Sequence, residues 1–285
     1  MAQFTNQAQL LYNNTVVNSN VAVGEITDPV SGTKTALIDT YTRDDDVTYI
    51  ISVVNNGTTP LPNLSVTDDL GQYTVSQGVT ATPLTYTPDS ARVYIDGVLQ
   101  PTPTVTPGPP LVFSGITLPA GSNLMIVYEA AVNGTAPLAT DGTITNTATV
   151  NGTGAATPLT LSETVTAEAA PNLMITKSID PVPVADNGTL TYTFVIQNYG
   201  NTAATADDDV ILTDTFDPLL RNVSATLDGV ALAPAREYTY NPATGVFSTI
   251  SGVITVPPAT FTQDPATGNV LTTPGVTTVT ATGTL

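Results

Sequence analysis

Residues 47–57 read VTYIISVVNNG, and residues 190–200 read LTYTFVIQNYG. In each stretch apolar residues recur at every second position and the run closes on Asn and Gly, the pattern of a strand with one buried face that ends in a turn. The same alternation returns in SNLMIVYEAAV (122–132) and TTVTATGTL (277–285), with Gly, Pro and Asn turns between. No stretch of helical length keeps a 3.6-residue apolar period free of Pro, Gly or β-branched interruption. The expectation is an all-β chain almost without helix.

The match between the two halves continues in order. LSVTDDL (64–70) pairs with VILTDTF (210–216), YIDGVL (94–99) with TLDGVA (226–231), and GITLPAG (115–121) with GVITVPPA (252–259). A duplicated unit of antiparallel strands in a chain of 285 residues predicts two tandem immunoglobulin-like β-sandwich domains. Their bounds are 27–169 and 170–285, and residues 1–26 form an arm ahead of them.

The repeat is out of phase with the chain. The first copy runs through every motif and closes with ITNTATV (144–150) and SETVTAEA (162–169), whereas the second ends on a segment that matches SNLMIVYEAAV. The closing pieces have counterparts at the other end: FTNQAQL (4–10) resembles ITNTATV, and SNVAVGEI (19–26) resembles SETVTAEA. Ser19 precedes Lys34 by fifteen residues, as Ser162 precedes Lys177. The arm is therefore expected to be a donor strand or hairpin for a second domain that lacks its last strand, with Phe4, Ala8, Leu10 and Tyr12 on one face. Donation between subunits is β-strand addition, and its unlike surfaces generate an open head-to-tail filament unless a ring closes. An arm that folds back onto its own second domain, or that frays, are the alternatives.

Twenty-four acidic residues against six basic ones give a net charge of -18, which repels nucleic acid phosphates and anionic lipid, so neither is an expected partner. Cys, His and Trp are absent, which removes disulfides, thiolate chemistry, a Ser-His-Asp triad and nearly all zinc sites. An enzyme is not expected. The N-terminus has no basic segment followed by an apolar one, and no run of membrane-spanning length occurs, so neither a classical signal peptide nor an anchor is expected. The acidic runs at 44–46 and 206–209 have the oxygen chemistry calcium favours, but neither matches an EF-hand loop and solvated turns are the commoner outcome. No cofactor is expected.

Strand phase puts polar residues on the inward faces. Asp68 is in phase with Leu64, Val66 and Leu70, and Asp214 with Val210, Leu212 and Phe216. The two lysines of the chain, Lys34 and Lys177, are in phase with apolar neighbours and stand thirteen residues before Val47 and Leu190. Asn146 shares a face with Ile144, Ala148 and Val150, and Asn6 with Phe4, Ala8 and Leu10. Buried together, such groups must satisfy one another.

The Lys-bearing first strand, LTYTFVIQNYG, LTDTF, the ITVPP turn and the closing TNTATV resemble the bacterial surface-repeat family known as domain of unknown function number eleven. The resemblance covers almost the whole chain. It implies a β-sandwich module of surface adhesins, of cell-wall and S-layer-like proteins, or of spore-appendage fibres, and the size and ends are most similar to the last. A lysine, acid and asparagine buried together are also the set that makes Lys–Asn isopeptide bonds in Gram-positive surface proteins. There desolvation frees the lysine amine to attack the Asn side-chain carbonyl, and a protonated acid polarises that carbonyl. Lys34, Asp68 and Asn146 would form the bond within a chain; Lys177 and Asp214 would meet Asn6 of another chain. A buried ion pair with a bridging Asn, and no bond, is the alternative. The expected function is a self-polymerising structural subunit of an extracellular fibre or spore appendage, and the alternative is a surface adhesin or wall-associated binding module.

Overall fold

The structure, a computed structural model, describes residues 2–26, 29–154 and 158–285. Among these the chain is all-β, with one 3₁₀ turn at Ala206–Asp208 as its only helical element. It forms two compact units, one holding most of residues 1–165 and the other Thr166–Leu285 together with Thr74–Ala81 and Gly134–Thr143.

Alternation builds the first unit. Val47, Tyr49, Ile51 and Val53 of the Asp46–Asn55 strand are fully buried while the residues between them are not. That strand lies between Val30–Ala36 and Asn123–Val132, and Arg92–Ile95, Val98–Leu99 and Leu84–Tyr86 complete a six-stranded sheet. The other sheet runs Thr104–Thr106, Leu111–Leu118, Leu61–Asp68, Thr143–Asn151, Leu159–Ala167 and Thr40–Tyr41. Inward residues of the two sheets interlock, as where Phe113 of one packs 5.4 Å from Tyr128 of the other. The Asp-Gly of YIDGVL turns tightly because both Asp96 and Gly97 take positive φ, the type I′ geometry that matches strand twist.

The second unit repeats the first sheet in the same order. Thr189–Asn198 lies between Leu173–Asp180 and Gly275–Thr284, followed by Arg221–Leu227 and Val230–Ala231. Leu190, Tyr192, Phe194 and Ile196 face Phe216, Phe247 and Ile254 in its core. The facing sheet is shorter, with three strands: Thr213–Thr215, Val246–Thr249 and Tyr238–Tyr240. Thr213–Thr215 corresponds to Leu61–Asp68. Where the latter has Thr143–Asn151 as a second neighbour, Thr213–Thr215 is paired only with Val246–Thr249 among the described residues.

The arm is a two-stranded ribbon. Ala2–Asn6 pairs with Ala22–Ile26, and Gln9–Tyr12 with Thr15–Asn18 across a turn in which Asn13 and Asn14 take positive φ. Between the pairs Asn6↔Ala22 and Gln9↔Asn18 stand two residues on the outgoing side and three on the return, a bulge that spares the outgoing strand. The side chains of Gln9–Tyr12 and Thr15–Asn18 are all exposed, as are Phe4 and Ala8. The Phe4 ring lies across Gly24, where it leaves no room for a Cβ, so glycine at 24 is what lets the aromatic fold onto its partner strand.

Candidate functional site

In the first unit the strands bring Lys34, Asp68 and Asn146 into one apolar site. Lys34 sits on the edge strand opposite Ile51, and its Nζ donates to Asp68 Oδ2 at 2.6 Å with both side chains wholly excluded from solvent. Asp68 lies opposite Ala148, two residues beyond Asn146 on the closing strand. Asn146 joins the pair through Tyr128, whose hydroxyl donates to Asp68 Oδ2 at 2.7 Å and accepts from Asn146 Nδ2 at 3.0 Å. Asn146 Oδ1 and the Tyr49 hydroxyl are buried without a hydrogen-bond partner. The Lys34 ammonium also lies 5.0 Å from the centre of the Tyr49 ring. Burial lowers the Lys34 pKa, and the nearby Asp68 opposes that shift without cancelling it. Burial first, and the negative field of Asp68 second, raise the Tyr128 and Tyr49 hydroxyls far above their ordinary range.

Sequence phase found Lys34, Asp68 and Asn146 but missed Tyr128. The available signal was its place in SNLMIVYEAAV, in phase with Leu124, Ile126 and Ala130, where a hydroxyl needs a buried partner. Missed as well were Asn55 and Asn198, the fully buried residues that close the Asp46–Asn55 and Thr189–Asn198 strands. Asn55 Nδ2 donates to the Thr59 and Pro119 carbonyls, and Asn198 Nδ2 to that of Thr202, so both hold the turns that follow.

In the second unit Lys177 and Asp214 form the corresponding ion pair, with Lys177 Nζ 4.5 Å from the centre of the Tyr192 ring. Its surroundings differ. The Lys177 side chain is 42% exposed and that of Asp214 18% exposed, whereas those of Lys34 and Asp68 are wholly buried. The reason is the missing cover: in the first unit Leu159 and Leu161 of the return strand pack over Gly32, whereas the residue at that place in the second unit, Ile175, is 53% exposed. Beside it runs an apolar groove of about 300 Å³ lined by Leu173, Ile175, Ile196, Val210, Leu212 and Thr213. Tyr128 has no equivalent here. Tyr128 pairs with Tyr49, but Ala281 pairs with Tyr192, and the space is taken by Phe216 stacked 4.6 Å from Tyr192.

Asn6 is placed in the arm, opposite Ala22, and Phe4, Leu10 and Tyr12 are each more than half exposed. The acidic runs hold their own turns: Asp45 accepts from the Thr42 N–H at 2.6 Å, and Asp208 from the Thr205 N–H at 2.7 Å. Among the described residues no three acidic side chains gather where they would hold a metal ion. No described helix is long and apolar enough to cross a membrane.

No protein-family model matches the chain, and no curated protein does. Solved structures similar to it include the full-length major pilin SpaD from Corynebacterium diphtheriae, at 12% identity over 85% of this chain and 58% of that one, with a TM-score of 0.36. BcpA, the major pilin subunit of Bacillus cereus, matches at 11% identity over 96% of this chain and 73% of its own, with a TM-score of 0.35. The collagen-binding subdomain of the Enterococcus faecalis surface protein ACE matches at 12% identity over 47% of this chain and 95% of that one, with a TM-score of 0.31.

Proposed function

We propose that this chain is a structural subunit of an extracellular bacterial fibre, of the spore-appendage kind, which polymerises head to tail by giving its arm to the open groove of a neighbour's second unit. One observation carries the reading. The chain holds an uncovered apolar groove beside a half-exposed lysine, and an exposed hairpin whose sequence repeats the hairpin that covers the same place in the first unit. An open sheet edge over an apolar face is a liability unless something pairs with it. Burying Phe4, Leu10 and Tyr12 would contribute roughly 1.5–3 kcal/mol each. Association costs about 4–15 kcal/mol, so the ladder bonds of the new strand decide whether the joint holds.

Covalent locking belongs to the same reading. Lys34 and Asn146 are joined by an isopeptide bond within the subunit, with Asp68 as the acid. Lys177 is joined to Asn6 of the next subunit, with Asp214 in that role. No cofactor is needed.

Removing residues 1–26 tests the assembly. The full chain should form filaments visible by negative-stain microscopy, and the shortened chain should give monomers or loose aggregates that bind an added peptide of residues 1–26. Filaments of normal length from the shortened chain would rule out strand donation.

A further inference from the structure

We propose that Tyr128 is a catalytic residue of the first-unit cross-link, the acid that protonates the Asn146 amide nitrogen as ammonia leaves. This rests on the reading that Lys34 and Asn146 become bonded. Its basis is a continuous buried chain: Lys34 Nζ to Asp68 Oδ2 at 2.6 Å, Tyr128 Oη to the same oxygen at 2.7 Å, and Asn146 Nδ2 to Tyr128 Oη at 3.0 Å. Asp68 touches the nucleophile but has no hydrogen bond to the leaving nitrogen. The group that does is Tyr128, and it is held in place by its stack on Tyr49 at 5.6 Å and by Phe113 at 5.4 Å.

The step balances through these groups alone. Lys34 passes one proton to Asp68, and the freed lone pair attacks the Asn146 side-chain carbonyl carbon, forming the new C–N bond. As the old C–N bond breaks, Asn146 Nδ2 takes the Tyr128 proton and departs as ammonia. Tyr128 regains a proton from Asp68, and Asp68 takes the second proton of the attacking nitrogen. One amide and one ammonia result, with no oxidant or other reactant. Once Asp68 carries the lysine proton the two hydrogen bonds reverse, Asp68 donating to Tyr128 Oη and Tyr128 donating to the leaving nitrogen, so the hydroxyl relays the proton without moving a heavy atom. The second unit has no such relay, because Ala281 stands where Tyr128 does. There Asp214 must protonate the leaving nitrogen directly, and the bond to Asn6 should form more slowly than the one within the subunit.

The test is a time course of intact mass for the full chain made by cell-free synthesis. Wild type should lose one ammonia from the first unit, and Lys34→Ala should not. Tyr128→Phe keeps the ring and should slow that loss by about 100-fold or more, the lower range for removing a general acid. Tyr86→Phe alters a hydroxyl in the same aromatic cluster, where Tyr86 meets Phe113 edge-on, and should leave the rate unchanged. Tyr128→3-fluorotyrosine preserves the packing and the hydrogen bonds while changing the acidity. It should shift the rate several-fold, which a packing role would not do, and it decides the matter if Tyr128→Phe fails to fold. Wild-type rates in both Tyr128 variants would overturn the role of Tyr128 and leave the cross-link standing. A wild-type chain that folds and keeps its full mass would overturn both.

Discussion

Lys34 is tolerated in the core only because Asp68 meets it, and removing one member of a buried pair commonly costs about 3–5 kcal/mol. Its titration distinguishes an amine from an amide. As an amine, Lys34 has a folded pKa below its ordinary 10.5, so between the two values the unfolded chain holds a proton the folded chain does not. Stability then rises with pH across that window. The tyrosines act the other way: burial holds Tyr49 and Tyr128 above their ordinary 10.0, so above that pH the folded chain keeps protons the unfolded chain loses, and stability falls. Asn146→Ala, which cannot form the bond, should show the rise followed by the fall in denaturant titrations run through the alkaline range. Wild type, with Lys34 consumed in an amide, should show only the fall. A rise of equal size in both would mean that Lys34 is a free amine in each.

At the scale of elements, the closing hairpin of the first unit specifies how the arm should seat in a neighbour. There Ala148 lies opposite Asp68, Thr149 opposite Thr67, Val150 opposite Val66 and Asn151 opposite Ser65. Carried over through the repeat to the proposed joint, Ala8 would lie opposite Asp214, Gln9 opposite Thr213, Leu10 opposite Leu212 and Leu11 opposite Ile211. A slip of one residue would turn Leu10 to solvent, so the register is strongly specified. The chain has no cysteine, which makes the check clean. Gln9→Cys with Thr213→Cys should give disulfide-linked multimers on oxidation, because directly opposed Cβ atoms approach within bonding range. Gln7→Cys with Thr213→Cys, two residues out of register, should not. Equal linkage by both pairs would contradict the register.

For the whole molecule, the proposed donor and acceptor lie on different parts of the chain, so each joint would leave one of each free and growth would have no built-in end. Copies carrying a net charge of -18 repel one another, and a joint closed by strand pairing alone remains reversible. The bond between Lys177 and Asn6 would make the fibre permanent without disulfides. Wild-type filaments boiled in detergent and reductant should therefore run as a ladder of multimers. Lys177→Ala should collapse the ladder to monomer while native filaments persist, and Lys34→Ala should leave the ladder intact. Wild-type filaments that boil to monomer alone would exclude the intermolecular bond and leave strand exchange untouched.

Alternation and repetition along the chain were enough to establish strands, their inward faces, the duplication and the matched lysines, because a strand fixes which way a side chain points by counting residues. Counting also put Lys34, Asp68 and Asn146 on faces that needed one another. It could not say that Tyr128 would stand between them, since its strand shares a sheet with that of Lys34 but faces those of Asp68 and Asn146 across the core, and only packing decides which inward residues meet. It set Lys177 apart from Lys34 only by the closing strand that the second repeat lacks, and not by how far each would be enclosed. Both have the same phase and an acidic partner, yet one is sealed and the other open, because enclosure depends on a return strand far away in sequence that covers Gly32 and has no counterpart over Ile175. Facing is a local property of the backbone, while neighbours and burial are set by which segments the whole chain brings together.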